Sequence, residues 1–571
     1  MEDYPEKGHS VKWGKGNTLT AQRQVLVIGL DGATYDIIDP LLDAGELPTL
    51  ARIIREGARG TLQSTIPPNS APAWTSFLTG VNPGKHGILD FREVDLRQYT
   101  LYTGRFVNST TFAGHTILDL IGQHTRGVVS FRVPMTYPVW PVNGILVAGY
   151  PTPDRKKAYT YPPELSDALT PIALHSHEEI ARATPDDERA NADYEIEVLL
   201  KHMGAWLREN RYDFYVAVTG ITDGFHHKFW KYHDPTHPLH DPRWPDELKN
   251  IIREYYRRLD RMVGDLLNLV DERWLVVVMS DHGGGPRPHR LFNTNAWLAQ
   301  QGWLSVRQGG STRTLYQWTR HGVEWLRSRL PRRNWLYDHL PQALRRKAVE
   351  VRQGQGLIDW TRTQAYRVPL QFPAEGIEVN LRGRQPKGIV TPEEYESLRT
   401  SIIAALREAR DPATGLPVVR GIWRREEVYR GPYLDHMPDI VFLTADHLAC
   451  GTDLEDVFTE LPLSFLERLS GDHTMTGIAL FWGEGVQAGS RFDLNIVDLP
   501  PTLVWTMGLE VPEDMDGRVL TEAFTADYVR AHPVSFGPPY WQQGLGDEEV
   551  LTEEEEAEIR KALAGLGYVE E

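Results

Sequence analysis

The stretch Val25-Leu-Val-Ile-Gly-Leu-Asp31 is a run without polar side chains that ends at an acid. An unbroken apolar run of this kind is typical of a strand buried on both faces of a parallel sheet. Asp31 follows the carboxyl end of that strand, which is the edge where open α/β sheets bind their ligands. The stretch therefore predicts an α/β fold and makes Asp31 a candidate functional residue, with a turn or helix cap as its alternative role.

Further segments of the same kind extend the prediction along the chain. Apolar segments that predict strands lie at 127–131, 144–148, 213–218, 274–279 and 478–482. Amphipathic segments that predict helices lie at 48–56, 194–210 and 247–270. Strands that alternate with helices predict an α/β fold with a mostly parallel central sheet and helices on both faces.

Composition excludes several classes of protein. The chain has 571 residues and a formal net charge of -17, which argues against a general nucleic-acid binder. Its single cysteine, Cys450, leaves no disulfide framework and no thiolate cluster for a metal. Residues 1–24 are polar, and the first apolar run, residues 25–30, is too short for a signal peptide or a membrane span. We expect a cytoplasmic protein.

Ser70 lies in the sequence Pro67-Pro-Asn-Ser70, where two prolines and an asparagine predict a turn. Helix-compatible residues follow at 71–78, and Gly80 and Pro83 end them. A serine at a helix entry lies beside free backbone N–H groups and the positive end of the helix dipole, which suits a nucleophile that attacks an anionic centre. A plain helix N-cap is the alternative role.

Acids and histidines follow two of the other predicted strands. Asp223 and His227 are four residues apart, so on a helix they share one face and can hold one metal ion. His226 must then point elsewhere, and we interpret it as structural. Asp281 and His282 follow the strand at 274–279 and precede three glycines, which we expect to admit a bound group.

His473 lies between Gly471 and Gly477, in a predicted loop beside the sheet. Without other evidence a structural role and a ligand role both remain open for it.

The predicted organisation has six parts. They are a polar tail (1–24), a first core segment (25–305), a basic helical insertion (306–375), a small α+β subdomain (376–445), a second core segment (446–525) and an acidic C-terminal tail with a surface helix (526–571). Residues 311–352 carry ten basic and three acidic side chains, a net charge of +7. Three interpretations of them remain open: a lid over an anionic substrate, a helix that contacts acidic lipid, and a solvated insertion.

The order and context of these residues resemble the two-metal site of the alkaline phosphatase superfamily, and most of all the type I phosphodiesterase/nucleotide pyrophosphatase group. The resemblance rests on Asp31, Ser70, Asp223, His227, Asp281, His282 and His473. Similar motifs lie at 79–80, 86–87, 359–360, 380–384 and 514–518, so that the likeness extends from residue 25 to about residue 523.

The resemblance implies a metal-dependent hydrolase of small-molecule phosphate esters, most of all a phosphodiesterase or pyrophosphatase that acts through a phosphoseryl intermediate on Ser70. By resemblance, one divalent ion is held by Asp31, Ser70, Asp281 and His282. The other is held by Asp223, His227 and His473. Carboxylates and imidazoles without thiolates suit Zn²⁺, which we expect, with Mn²⁺ as the alternative.

Two departures from the group leave alternatives open. Nucleotide-cleaving relatives carry an asparagine after the acid that corresponds to Asp90, whereas this chain has Phe91. Nucleotides are therefore not assumed, and a phosphomonoesterase or a phosphomutase remains an alternative. A sulfatase needs arginine where this chain has Trp74, so a sulfatase is a weaker alternative, as is a catalytically silent binding protein. The leaving group and the oligomeric state are left open.

Overall fold

The computed structural model describes residues 23–99, 102–153, 159–169, 184–307, 355–542 and 551–565. Its largest element is a sheet of nine strands, in which five of the eight neighbouring pairs are parallel. In spatial order the strands are Arg491–Asn495, Ala58–Gln63, Thr476–Trp482, Leu275–Met279, Val25–Leu30, Phe214–Thr219, Val128–Phe131, Gly144–Val147 and Thr160–Tyr161. The predicted α/β fold with a mostly parallel sheet is confirmed.

The strand Val25–Leu30 lies in the middle of this sheet. It pairs in parallel with Phe214–Thr219 on one side and with Leu275–Met279 on the other. The register places Leu30 opposite Thr219 and Gly29 opposite Met279. Since the three strands end level with one another, the residues that follow them meet at one edge of the sheet.

Helices cover both faces of the sheet, as predicted. Alternate residues of Val25–Leu30 face opposite ways: Val25 and Val27 lie in one hydrophobic cluster, and Leu26 and Ile28 lie in the other. Helices in the first cluster are Ser70–Thr79, Ile117–His124, Leu499–Thr506 and Glu553–Gly565. Helices in the second are Tyr35–Asp43, Pro48–Glu56, Pro185–Glu209, Ile221–His233 and Ile251–Leu267.

A separate antiparallel sheet of four strands packs with the helix Pro392–Glu408 as an α+β unit. Its strands, in spatial order, are Ala365–Pro369, Ala374–Val379, Ile440–Thr444 and Val419–Arg424. The unit begins before the predicted boundary at residue 376, because Ala365–Pro369 pairs along the whole of Ala374–Val379. The basic segment 311–352, with its predicted lid or lipid contact, lies outside the described residues, as do residues 1–22.

Two predicted helices differ in detail. Pro185–Glu209 begins nine residues before the predicted start at 194, where Thr184 and Asp187 form a capping box with Pro185 at the first helical position. The C-terminal helix Glu553–Gly565 was expected on the surface, but Ile559 and Leu563 are buried in the core. The acidic composition of this helix led to the surface prediction, because its apolar residues occupy one face only.

The remaining described elements are short. Strand pairs are Arg92–Val94 with Tyr102–Phe106, Gly283–Pro286 with Gly471–Thr474, and Val511–Pro512 with Phe536–Gly537; Arg290–Phe292, Leu448–Cys450 and Phe458–Glu460 form a three-stranded sheet. Short helices are Pro83–His86, Leu165–Ala168, Asp246–Lys249, Thr294–Gln300, Arg425–Val428, Leu463–Arg468 and Ala526–Ala531. Among the helices of the described ranges, none is long and apolar enough to cross a membrane.

Candidate active site

The seven candidate residues converge at the edge where the central strands end. Each is at most 6% exposed: Asp31, Ser70, Asp223, His227, Asp281, His282 and His473. Three parallel strands explain most of this convergence, because Asp31 follows the first, the helix Ile221–His233 follows the second, and Asp281 and His282 follow the third. Ser70 begins the helix Ser70–Thr79, and His473 lies on the strand Gly471–Thr474.

One cluster consists of Asp223, His227 and His473. Asp223 Oδ1 lies 3.3 Å from His227 Nε2 and 3.4 Å from His473 Nε2, and the two nitrogens are 3.1 Å apart. Asp223 and His227 share one face of the helix Ile221–His233, as their spacing predicts. Three ligand atoms this close and this buried form a candidate metal centre.

A second cluster of ligand atoms is formed by Asp31, Asp223 and His282. Asp281, which the resemblance assigns to this centre, lies beside it: its Oδ2 is 3.3 Å from His282 Nε2, and its Oδ1 accepts a hydrogen bond of 3.2 Å from Gly32 N. Asp281 Oδ2 is buried and makes no hydrogen bond. A buried carboxylate oxygen without a hydrogen-bond donor is suited to bind a cation.

The three candidate histidines are oriented in the same way. The Nδ1 atoms of His227, His282 and His473 lie 3.0, 3.0 and 2.8 Å from the backbone carbonyl oxygens of Gly471, Gly283 and Pro68, respectively. A carbonyl only accepts, so each Nδ1 donates its proton, and each Nε2 keeps a lone pair directed at the clusters. Backbone carbonyls that fix the tautomer in this way are typical of metal-binding histidines.

His226 is oriented differently. Its Nε2 lies 3.1 Å from the hydroxyl of Tyr256, and burial lowers the pKa of His226 to about 3. A Cβ on Gly284 would lie 2.1 Å from His226 Nδ1, and one on Gly283 would lie 2.0 Å from the carbonyl oxygen of Thr476. These two glycines were expected to admit a bound group; instead they admit close packing by the protein's own chain.

The pKa values reflect the concentration of buried acids. Burial raises the pKa of Asp31 well above its usual range, and Asp281 and Asp223 raise it further. Burial, with Asp223, raises the pKa of Asp281 to about 7. Burial alone would also raise the pKa of Asp223, but His227 and His473 outweigh it and hold that pKa well below its usual range. Ionised carboxylates this close together are stable only beside cations, so the site fits divalent metal ions.

The surroundings of Ser70 exclude the helix-cap alternative and correct the expectation of free backbone N–H groups beside it. Ser70 Oγ lies 3.5 Å from Asp31 Oδ1 and 3.3 Å from His282 Nε2, beside the second cluster. The N-cap is Asn69, whose side chain accepts a hydrogen bond of 2.9 Å from Ala71 N, so Ser70 is not the cap. The N–H of Ala71 is therefore occupied rather than free to bind an anion, and Pro72 has none.

His473 was expected in a loop, but it lies on a strand. Gly471–Thr474 pairs antiparallel with Gly283–Pro286, and Gly284 is opposite His473. The glycines on both sides of His473 favoured a loop prediction, because glycine is depleted in strands. The pairing brings His473 beside the residues that follow Leu275–Met279.

Sequence reasoning missed a residue that supports Asp31. Trp74 is fully buried, and its Nε1 donates a hydrogen bond of 2.8 Å to Asp31 Oδ2. Thr222 Oγ1 donates to the backbone carbonyl of Asp31. The position of Trp74, one helical turn after Ser70, is a signal that could have identified it.

A cavity of about 200 Å³ opens beside Ser70 and the clusters. Its lining includes Asp31, Ser70 and Asp223 together with two basic residues, Arg132 and Lys228. The cavity gives a substrate access to the serine hydroxyl, and this geometry suits nucleophilic attack on an anionic ester at a centre of divalent ions.

Known proteins were compared with the chain by sequence and by structure. No curated protein matches the sequence. Similar solved structures include murine ectonucleotide pyrophosphatase/phosphodiesterase 5 in complex with AMP, at 12% identity over 86% of this chain and 96% of that chain, with a TM-score of 0.45. They also include phosphonoacetate hydrolase from Sinorhizobium meliloti in complex with phosphonoformate, at 17% identity over 81% of this chain and 90% of that one, with a TM-score of 0.44.

The family comparison covers most of the chain. The profile of type I phosphodiesterase / nucleotide pyrophosphatase matches residues 25–460, which include six of the seven candidate residues. The family is metal-dependent, and the described residues contain acidic and histidine groups that could bind metal. The chain therefore belongs to the type I phosphodiesterase / nucleotide pyrophosphatase family of the alkaline phosphatase superfamily, and it is an enzyme that hydrolyses phosphoester bonds.

Proposed function

We propose that the protein hydrolyses phosphodiester or pyrophosphate bonds of a small molecule, with Ser70 as the nucleophile. The observation that carries the proposal is the position of Ser70, which lines the cavity and whose Oγ lies 3.5 Å from Asp31 Oδ1 and 3.3 Å from His282 Nε2. Serine hydroxyls are weak nucleophiles unless a base or a metal ion activates them, and this one lies beside a candidate metal centre.

Two divalent ions fit the residues present, and we propose Zn²⁺, with Mn²⁺ as the alternative. Asp223, His227 and His473 would hold one ion; Asp31, His282 and Ser70, with Asp281 or Asp223 completing the set, would hold the other. When bound, the ions supply positive charge that favours the ionised hydroxyl and stabilises charge on the phosphoryl group.

The residues of the chain then position the reaction. Ser70 Oγ releases its proton to solvent and forms a bond to phosphorus as the bond to the leaving oxygen breaks. The leaving group departs as an alkoxide, which takes up a proton from solvent, or as a phosphate when the bond cleaved is a pyrophosphate. Water later cleaves the phosphoseryl ester, which restores the hydroxyl and releases a phosphomonoester. Trp74 holds Asp31 in place during both steps, and three backbone carbonyls hold the histidine tautomers.

Phe91 bears on the choice of substrate. Its side chain is fully buried, and its ring contacts Tyr150 edge-on at a centroid distance of 5.8 Å. Tyr150 lines the cavity, and Phe91 packs behind it. Phe91 stands at the position where nucleotide-cleaving relatives carry an asparagine, so its apolar ring offers no hydrogen bond there. The proposal therefore names the bond that is cleaved and assumes no nucleotide.

The test compares bis-p-nitrophenyl phosphate with p-nitrophenyl phosphate in the metal-loaded protein. Faster hydrolysis of the diester supports a phosphodiesterase, whereas preference for the monoester would favour the phosphomonoesterase alternative. Ser70→Ala should lower turnover by at least about 1,000-fold while metal content is largely kept. Ser76→Ala, on the same helix but hydrogen-bonded to His86, is the control and should keep turnover. Activity of Ser70→Ala within tenfold of wild type would exclude Ser70 as the nucleophile.

A further inference from the structure

The cavity beside Ser70 contains two ion pairs that the hydrolytic step does not require. Arg132 Nη1 lies 2.9 Å from Glu195 Oε2, and Lys228 Nζ pairs with Glu188 Oε1. All four side chains line the cavity. The two carboxylates come from one helix, Pro185–Glu209, and each holds a basic residue from a different element. This arrangement forms a polar subsite next to the reacting phosphoryl group, which we call the paired-charge subsite.

Arg132 is held in place by backbone and side-chain contacts. It follows the strand Val128–Phe131 and has a φ of 60°, a left-handed conformation that non-glycine residues rarely adopt. Its N–H donates a hydrogen bond of 2.9 Å to the carbonyl of Val147, and Glu195, its partner, accepts a hydrogen bond from Thr219 Oγ1. Backbone strain of this kind clusters at ligand-binding sites, where it directs a side chain.

The charges of the subsite indicate what it binds. The two basic and two acidic side chains sum to a formal charge of zero, so a second phosphate or carboxylate on the substrate would meet a carboxylate beside each cation. A hydroxyl group both donates and accepts. Each ion pair offers unused donors on its cation and unused lone pairs on its carboxylate, and therefore suits neighbouring hydroxyl groups of a neutral polyol.

The size and lining of the cavity also favour a small polyol. Its volume is about 200 Å³, below the range of about 300–1,000 Å³ that is usual for pockets that bind drug-sized ligands. Its aromatic lining residues, Tyr150 and Phe225, are already packed against other rings: Tyr150 against Phe91, and Phe225 against Tyr255 at 4.3 Å. A compact polyol fits this lining better than a nucleoside, whose base needs a stacking surface.

We propose that the paired-charge subsite binds a neutral polyhydroxylated group, such as glycerol, inositol or a single sugar ring, that is esterified to the phosphoryl group Ser70 attacks. The inference rests on the proposed function, because it takes the cavity beside Ser70 as the substrate site. Glu195 and Arg132 act as specificity-determining residues, with Glu188 and Lys228 as the second pair.

The experiment uses three p-nitrophenyl phosphodiesters that differ only in the retained group: glycerol, thymidine or phenyl. The leaving group is the same, so ratios of kcat/KM report binding of the retained group in the transition state. In the wild type, kcat/KM for the glyceryl diester should exceed that for the other two. Glu195→Gln should lower the glyceryl-to-phenyl ratio about tenfold, since hydrogen bonds to charged groups are the strong ones.

Glu197→Gln is the matched control, because Glu197 is exposed on the same helix two residues away. It should leave the ratio unchanged. Glu188→Gln tests the second pair independently, and thermal unfolding establishes that each variant is folded. A wild-type preference for the thymidyl diester, or equal losses on all three substrates in both Glu195→Gln and Glu188→Gln, would overturn the proposal. Ser70→Ala, assayed on the same three diesters, tests the proposed function separately, since it should abolish all three activities whichever retained group is preferred.

Discussion

Replacement of Trp74 by phenylalanine tests whether Asp31 is a metal ligand that depends on its hydrogen-bond partner. Phenylalanine keeps an aromatic ring in the core but removes the Nε1 donor, which lies 2.8 Å from Asp31 Oδ2. Trp74 is fully buried and Asp31 is 5% exposed, so water cannot replace the lost bond without rearrangement.

The size of the effect follows from the charge on Asp31. A hydrogen bond to a charged group contributes about 1.5–3 kcal/mol, which corresponds to roughly ten- to 150-fold in an equilibrium constant. Loss of the partner of a metal ligand typically costs about 10–100-fold in metal affinity or activity. We therefore expect Trp74→Phe to weaken the affinity of one of the two metal ions by about tenfold or more and to leave the other ion nearly unaffected.

The assay is a Zn²⁺ titration against a competing chelator, with kcat/KM for bis-p-nitrophenyl phosphate measured at each occupancy. Trp505→Phe is the matched control, because Trp505 is also buried, at 3% exposed. Its Nε1 donates a hydrogen bond of 2.9 Å to the backbone carbonyl of His532, which is not a candidate site residue. Both variants lose similar ring volume. The reasoning is refuted if Trp74→Phe binds two equivalents of metal with wild-type affinity, or if Trp505→Phe weakens metal binding as much.

Two further predictions concern the metal centre and a buried histidine. Asp223→Ala or His227→Ala should remove at least one equivalent of metal and most activity, as elemental analysis will measure, whereas His226→Ala should keep both equivalents; full occupancy in the first two would contradict the assignment. His86 is buried, which lowers its pKa to about 3, and its Nδ1 accepts a hydrogen bond of 3.1 Å from Ile88 N. Because the folded pKa lies below the unfolded value of about 6.5, the unfolded state binds the extra proton between these values, so stability is lost as the pH falls below about 6.5. His86→Asn should reduce the pH dependence of the free energy of unfolding between pH 6.5 and 5 by up to about 1.4 kcal/mol per pH unit, measured by urea titration; an unchanged slope would show that His86 does not remain neutral in the folded state.

Much of the site follows from local sequence patterns. An apolar run such as 25–30 predicts a buried strand, and an acid directly after it predicts a position at the ligand-binding edge. The spacing of Asp223 and His227 is a property of one helical turn, so the sequence alone predicts that they share a face. The contact of 3.3 Å between them agrees with that prediction. Such patterns are readable because they depend on residues within one element.

Only the tertiary structure shows the contacts that join distant segments. Trp74 is 43 residues from Asp31, and His227 is 246 residues from His473, yet both pairs are in contact. The pairs of Arg132 with Glu195 and of Lys228 with Glu188 likewise depend on how the helix Pro185–Glu209 packs against the sheet. The sequence by itself predicted most strands of the central sheet, the order of the candidate ligands and Ser70 as the candidate nucleophile. The supports of those ligands and the shape of the cavity were decided by strand register and helix packing, because long-range contacts arise from the arrangement of whole elements and leave no periodic pattern in the chain.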